Sequence, residues 1–440
     1  MLCSYARRVW CIRDSQAEFD WKSLRPSMDF TPANPLFPNL RALFCDFTKE
    51  TMPLLQLALP SLIRLNVRLP WKVDLRMLQE PLRSLAETSP NIRRLEIWGF
   101  QRKLSFTKIV SDGVRGWSHL QLVSCLEIPF DVDTIAHLSR MPALTWLSFT
   151  LSSTFLAQTI PSDSVSFTTL NYLKLRARSL VPISRLLSWA RLPSITDFTV
   201  NIDSQCPPKQ DLVSFMASIQ IAGMCHTVQK FNLEQVHDAP DTIPPREPDA
   251  PLLDLDDLRP CMAFHSLRRM NLDLQWDVDL SDDGMLTLAS AWPQIGELLI
   301  NTHWGWNRPG GITLNGLASL LQMCPSLISI ALAIDTRGYT QMPARQLQRE
   351  PPSASSFARQ FRIDVLDSVI EAESVDATAD CLSRIVPHFD FILDAWETWS
   401  VLEHPESDLY RERWESVHRR ANKAIKRLGL NLLQELFFRP

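Results

Sequence analysis

Carboxylates crowd one stretch of the 440-residue chain. Asp277, Asp279, Ser281, Asp282 and Asp283 run up to Gly284, and oxygen donors so closely spaced are what a calcium loop requires. The detail does not fit. Counted from Asp277, the sixth position is Asp282, where an EF-hand needs glycine, and the twelfth is Leu288, where it needs a bidentate glutamate. Ser281 reads instead as the N-cap of a helix whose first amides favour the carboxylates beside it. The conspicuous thiols and imidazoles are Cys225-His226, His119 with Cys125, and His303. None has metal-ligand spacing or the neighbours of an activated nucleophile. G-x-S-x-G, the P-loop, G-x-G-x-x-G and H-E-x-x-H do not occur. The sequence therefore predicts a non-enzyme with no catalytic residue, no metal ligand and no cofactor site.

Recognition chemistry is better represented. Side chains alternate across a strand. If Leu62, Leu65 and Val67 face a core, Arg64, Asn66 and Arg68 face solvent. The same count puts outward Arg94, Glu96 and Trp98, then Trp146 and Ser148, then Tyr172, Lys174, Arg176 and Arg178. Later segments give Asp197 and Thr199; Lys230, Asn232 and Glu234; Arg269, Asn271 and Asp273; and Glu297, Asn301 and His303. The first half combines cations with exposed rings, whereas the second is mixed to acidic. Arginine forks onto carboxylate or phosphate, and aromatic rings supply anchor area at low entropy cost. The predicted protein-binding residues are Arg64, Arg68, Arg94, Trp98, Trp146, Tyr172, Lys174 and Arg176. The expected partner is a protein presenting an acidic or phosphorylated segment with an embedded apolar residue.

Repeated elements must position these residues. Two units of one design stand together between Leu280 and Ile334: a polar turn, a helical pattern, a proline stop at Trp292-Pro293 or Cys324-Pro325, then a short alternating run. The two prolines lie about 32 residues apart, and a fixed period in this range marks a solenoid whose units bury their apolar faces only against neighbours. The Pro-x-Leu-x-x-Leu core recurs at Pro38, Pro60, Pro90, Pro142 and Pro193, with variants at Leu120–Leu126, Leu170–Leu175, Val228–Leu233 and Leu267–Leu272. Helical stretches at Leu75–Ala86, Val132–Leu138 and Ile183–Ala190 separate them. Strands near 40, 62, 92, 122, 144, 170, 195, 228, 267, 295, 327 and 361 are thus predicted to pair in parallel in one curved sheet. The helices lie on the convex side and the candidate binding residues on the concave one.

The rest of the chain frames this array. Residues 1–36 read as an N-terminal lead-in with a helix packed on the first repeat, and 37–336 as the solenoid. Residues 238–257, acidic and proline-rich, read as an exposed insertion. Residues 337–360 form a polar linker, and 361–440 a terminal cap. In the cap, Phe361–Val365 is predicted as a strand, and Asp376–Val386, Phe389–Val401 and Leu409–Leu430 as helices. The last helix is basic on one face and apolar on the other. Hydrophobic residues make up 45% and charged ones 21%, with a net charge of −4, so the overall balance points to neither nucleic acid nor an anionic membrane. Proline is frequent (31) and glycine scarce (12), which suits many short elements and not phosphate-cradling loops. The nine cysteines form no C-x-x-C pair, which suits reduced thiols and a cytoplasmic or nuclear location. No leader or membrane span is legible.

Asp283-Gly284-Met285, Leu288-Ala289, Pro293, Ile295, Leu298 and Ile300, with Cys324-Pro325, Leu327, Ile330 and Leu332, resemble the cysteine-containing leucine-rich repeat. Across most of its length the chain is similar to the divergent F-box/leucine-rich-repeat proteins abundant in mushroom-forming fungi. That resemblance implies a leucine-rich-repeat α/β solenoid with a C-terminal helical cap. It also implies a substrate receptor of a ubiquitin ligase that meets a Skp adaptor and cullin. The Leu-Pro-x-Glu helical start of an F-box is not found in this sequence. The alternative is a standalone repeat scaffold unrelated to ubiquitin ligation, and behind both stands an enzyme whose site leaves no local signature.

Overall fold

The structure, a computed structural model, describes residues 7–14, 35–48, 59–69, 76–99, 105–203, 206–236, 250–308, 311–337, 361–386, 389–393 and 406–437. The X-Pro-x-Leu element sets its frame. At Leu59-Pro60-Ser61-Leu62 the Leu62 amide donates to the Leu59 carbonyl at 3.0 Å. This closes a turn with proline at the second position, where its fixed φ is already the one required. The same bond closes at Met141–Leu144 (3.4 Å), Trp292–Ile295 (3.0 Å) and Cys324–Leu327 (3.1 Å). Just beyond each turn, two consecutive amides share one carbonyl of the preceding repeat. Ile63 and Arg64 donate to the Arg41 carbonyl at 2.9 Å each, Arg93 and Arg94 to that of Ile63 at 2.8 and 3.0 Å, and Gly296 and Glu297 to that of Arg268 at 2.7 and 3.0 Å. Register is therefore fixed one repeat at a time.

The chain divides into two compact units. Unit 1 comprises Met1–Ser204 and Ser214–Thr227, and unit 2 comprises Gln205–Val213 and Val228–Pro440. In unit 1 the strands are β1 (Cys11–Asp14), β2 (Ala42–Asp46), β3 (Arg64–Leu69), β4 (Arg94–Gly99), β5 (Leu122–Pro129), β6 (Trp146–Leu151), β7 (Tyr172–Ala177) and β8 (Asp197–Ile202). Each pairs in parallel with the next. Their inward residues form lateral columns, one being Leu65, Leu95, Val123, Leu147, Leu173 and Phe198, all buried. Helices α1 (Arg76–Thr88), α2 (Ser105–Arg115), α3 (Val132–Ser139) and α4 (Leu180–Trp189) close the core with buried Leu78, Leu82, Leu85, Val110, Val114, Ile135, Leu138, Ile183 and Leu187. Asp131 caps α3, its carboxylate accepting the Thr134 amide at 2.8 Å. The helix α5 (Lys209–Ala222) supplies residues to both units.

Unit 2 repeats the scheme. Strands β9 (Lys230–Gln235), β10 (Arg269–Asp273), β11 (Glu297–Ile300), β12 (Ser329–Ala331), β13 (Phe361–Asp364) and β14 (Phe389–Leu393) run parallel. A buried column of Met270, Leu298, Ile330 and Ile363 runs across them. The acidic stretch resolves into helix starts. Ser281 caps α6 (Asp282–Ala291), its hydroxyl accepting the Gly284 amide at 3.2 Å, and Thr313 caps α7 (Leu314–Met323) through the Gly316 amide at 3.1 Å. Asp282 reaches onward and accepts the Thr313 amide at 2.8 Å and its hydroxyl at 2.7 Å. Gly316 is needed there, because a Cβ at that position would lie 1.9 Å from the Asp282 carboxylate. Beyond the sheet, α8 (Ser374–Ile385) packs against α9 (Ser407–Phe437), whose buried Trp414 donates its indole N–H to the Ser368 carbonyl at 2.9 Å. The fold is a leucine-rich-repeat α/β solenoid with a C-terminal helical cap.

Some elements differ from the sequence expectation. Cys11–Asp14, inside the stretch read as a lead-in, is a strand, held where the Trp10 carbonyl takes the Arg41 and Ala42 amides. Phe389–Leu393, expected to open a helix, is also a strand, because the β13 edge offers it a parallel ladder. Of the stretch expected as an exposed insertion, residues 250–257 are built in. Leu252–Leu253 pairs with Asp277–Val278, Leu253 is buried, and Asp254 with Asp257 forms a capping box on the helical turn Leu255–Leu258. Helices α2 and α5 were not legible in the sequence pattern. Residues 237–249, the linker 338–360, and Trp396 and Trp399 lie outside the described residues.

Candidate protein-recognition face

In unit 1, parallel register turns outward-pointing residues into rows that cross the strands. One row reads Ala42, Arg64, Arg94, Leu122, Trp146, Tyr172 and Asp197. The next reads Phe44, Asn66, Glu96, Ser124, Ser148, Lys174 and Thr199. In a third, Asp46, Arg68 and Trp98 are level, as are Thr150, Arg176 and Asn201 farther on.

The eight residues picked from sequence all lie in these rows, but in three different states. Arg64 is engaged: it forks onto Glu96 at 2.7 and 3.1 Å, and its guanidinium lies 4.9 Å from the Phe44 ring centre, with Arg13 at 5.0 Å. Asn66 takes the other Glu96 oxygen at 2.9 Å. Arg176 is buried, bridging Asp203 at 2.8 Å and Glu127 at 2.5 Å. Sequence alternation could not foresee this, because Glu127 reaches Arg176 from a bulge in β5 between Cys125 and Pro129. Arg68, Arg94 and Lys174 make no ion pair among the described residues; the first two are exposed and Lys174 is half-buried. Trp146 and Tyr172 stack, ring centres 3.4 Å apart and planes 10° apart, so a register pair becomes one aromatic slab. Trp146 remains 38% exposed and Trp98 44%. Rings of this size left in water on a sheet face are costly unless something covers them.

Between these rings the outward hydroxyls are covered. Ser124, Ser148 and Thr150 point outward, yet Ser148 is only 3% exposed and the other two are buried as well. An outward side chain that water cannot reach is overhung by larger neighbours. The Ser148 hydroxyl donates to Ser124 at 2.9 Å, and Thr150 donates to the Leu126 carbonyl.

The unit 2 face is of a different kind. Arg269 pairs with Glu297 at 3.2 Å, and Asn271 donates to Glu234 at 2.8 Å. Asp273 is buried and accepts the His303 amide at 3.1 Å, the Thr302 hydroxyl at 3.2 Å and the His303 ring. That carboxylate, chiefly through its hydrogen bond, holds the His303 imidazole above its ordinary pKa, with Glu234 and Asp364 adding to the effect. Asn301, expected to face solvent, is fully buried with φ of 56°. The chain turns there, so strand alternation no longer applies. Its side chain accepts the Leu274 amide at 3.1 Å and donates to the Trp276 carbonyl at 2.8 Å and that of Gly305 at 3.3 Å.

The other chemistry-bearing groups do not converge. Among the described residues no group of three His, Cys, Asp or Glu side chains is placed to hold a metal ion. Asp277, the first carboxylate of the calcium-like run, accepts from Asn307 at 3.3 Å and lies 3.7 Å from Arg308. Burial pushes the Cys125 thiol up to about 12, and His119 is exposed on the turn before that strand. Cys225 is likewise raised by burial, and His226 beside it is exposed. The basic helix α9 spends part of its charge on the cap: Arg413 donates to the Ile370 carbonyl at 2.7 Å, and Arg420 pairs with Asp376. No described helix is long and apolar enough to cross a membrane.

No protein-family model and no curated protein sequence matches the chain. Solved structures do. An internalin from Listeria monocytogenes aligns over 71% of this chain and 78% of its own at 10% identity, with a TM-score of 0.33. The complex of Rad7 and Elc1 from yeast aligns over 70% and 73% at 12% identity, TM-score 0.32. A TLR13–ssRNA13 complex aligns over 69% and 47% at 13% identity, TM-score 0.27.

Proposed function

We propose that the open face of the unit 1 sheet recognises a protein partner through Arg68, Arg94, Trp98, Trp146, Tyr172 and Lys174. The observation that carries the reading is the juxtaposition on one face of exposed rings, Trp98 and the Trp146–Tyr172 slab, with cations unpaired among the described residues. Tryptophan, tyrosine and arginine are the types that dominate binding hot spots. Glu96 and Glu127 are held by Arg64 and Arg176, and the cations beside the exposed rings, Arg68, Arg94 and Lys174, suit an acidic or phosphorylated segment. Arg64 and Arg176 serve as the scaffold of the face rather than as its contacts. In keeping with the resemblance of the repeat pattern to F-box/leucine-rich-repeat proteins, the chain would present that partner for ubiquitin ligation.

Affinity purification from the native cell tests both parts. The double variant Arg94→Ala/Trp98→Ala should lose the partners captured by the parent chain while its circular dichroism stays unchanged. An unchanged partner list would move the recognition surface elsewhere. Recovery of a Skp adaptor and cullin with the parent supports the ligase role. Stable partners without either support a standalone scaffold.

A further inference from the structure

Two cations of this face, unpaired among the described residues, flank the exposed Trp146 ring. Arg94 rises from β4 and Lys174 from β7, with β5 and β6 between them. Level with them on those two strands stand Leu122, Ser124 and Ser148, which carry no charge, and the Trp146 ring. Neighbouring strands lie about 4.8 Å apart, so three spacings put the two cations about 14 Å apart across the strands; standing one row apart they are also offset by about 7 Å along them, about 16 Å in all, a difference the side chains' own reach takes up. An extended peptide advances about 3.4 Å per residue and turns alternate side chains to the same side, so residues i and i+4 lie about 14 Å apart and face the same way as i+2. Residue i+2 then falls midway, against the exposed Trp146 ring.

Resting on the recognition reading above, we infer that the occupant is an extended peptide laid across β4–β7 that presents an acidic–x–apolar–x–acidic pentad. The two carboxylates meet Arg94 and Lys174, and the apolar side chain packs on the exposed part of the Trp146 ring. Three features on the face select this chemistry. Lys174 is half-buried and has no ion pair among the described residues, so an acid that reaches it gains a poorly screened partner. The Ser148 and Thr150 hydroxyls already donate to Ser124 and to the Leu126 carbonyl, so an apolar group beside them leaves those two donors paired. A single-stranded nucleic acid would need cations along its whole path, and the middle of this path has none.

The test uses the full chain and fluorescein-labelled nine-residue peptides read by anisotropy. The parent probe carries Glu-Ser-Phe-Ser-Glu in a Gly/Ser frame. Comparators of identical composition move phenylalanine to i+1 or bring the glutamates three apart, and a nine-nucleotide oligouridylate serves as the nucleic-acid arm. The pentad is expected to bind about tenfold tighter than either shuffle, the size of one well-placed contact. Lys174→Glu should weaken it by a similar factor and should bind better a probe with lysine at i+4. That charge-swap gain cannot come from misfolding. Shuffles that bind as well as the pentad, a charge swap without gain, or tighter binding of the oligouridylate would each overturn the inference. If these probes fail while Arg94→Ala/Trp98→Ala still loses native partners, the spacing is refuted and the recognition face stands. If that double variant keeps its partners, the face itself is refuted.

Discussion

Asn301 offers the sharpest test of how the repeats are closed. It sits where β11 ends, fully buried, in a left-handed backbone conformation, and its amide joins three main-chain groups: Leu274 N–H, Trp276 carbonyl and Gly305 carbonyl. Asn301→Ala strips the amide and leaves the Leu274 donor and the Trp276 acceptor buried without it, at about 1–3 kcal/mol each. It also forces alanine into the left-handed region, at about 1–2 kcal/mol. The expected loss is about 3–8 kcal/mol. Asn301→Gly removes the same hydrogen bonds but tolerates the backbone, so it should cost about 1–2 kcal/mol less than alanine. Asn301→Asp keeps an acceptor for Leu274 but brings a carboxylate against two carbonyls, and should be at least as damaging as alanine. Urea unfolding followed by tryptophan fluorescence reads all three, since Trp276, Trp304 and Trp306 are buried around this turn. A glycine variant as stable as the parent would refute the hydrogen-bond reasoning. Equal losses for glycine and alanine would refute the backbone reasoning.

Other predictions follow from the same geometry. Leu298→Ala and Ile330→Ala, register partners in a buried column, should each cost about 2–5 kcal/mol; melting temperatures within error of the parent would take them out of the core. Gly316→Ala drives a Cβ onto the Asp282 carboxylate and should cost about 1–3 kcal/mol. Much of that loss should vanish in the Asp282→Ala background, where the two sites couple, and full additivity would contradict the contact. The raised pKa of His303 means its protonated form is favoured on folding. Its contribution is complete below imidazole's ordinary value of about 6.5 and is lost as pH rises through the higher folded value. The gap in thermal midpoint between parent and His303→Gln should therefore shrink as pH rises across that window, and a gap that widens would reverse the assignment.

Much of the fold could be read from local chemistry. The X-Pro-x-Leu turn needs only a proline at its second position and a leucine to bury. Both are local, so seven of the twelve predicted strands follow from them, and the other five from the alternating apolar spacing alone. Ser281 was legible as a cap for the same reason: its hydroxyl serves an amide three residues away. What misled were positions whose state depends on distant chain. Phe389–Leu393 has the apolar content of either a helix or a strand, and the free edge of β13 decides between them. Arg176 obeys the alternation that put it outward, yet Glu127, 49 residues away, and Asp203, 27 away, draw it into a buried bridge. Trp146 and Tyr172 are unremarkable 26 residues apart, and only parallel register makes them level so that their rings stack. The sequence by itself determined that there would be strands, which residues they would bury, and that cations and rings would emerge on the other side. The tertiary structure decided which of those cations are consumed by neighbouring acids and which remain, because pairing across strands brings together side chains that no local spacing relates.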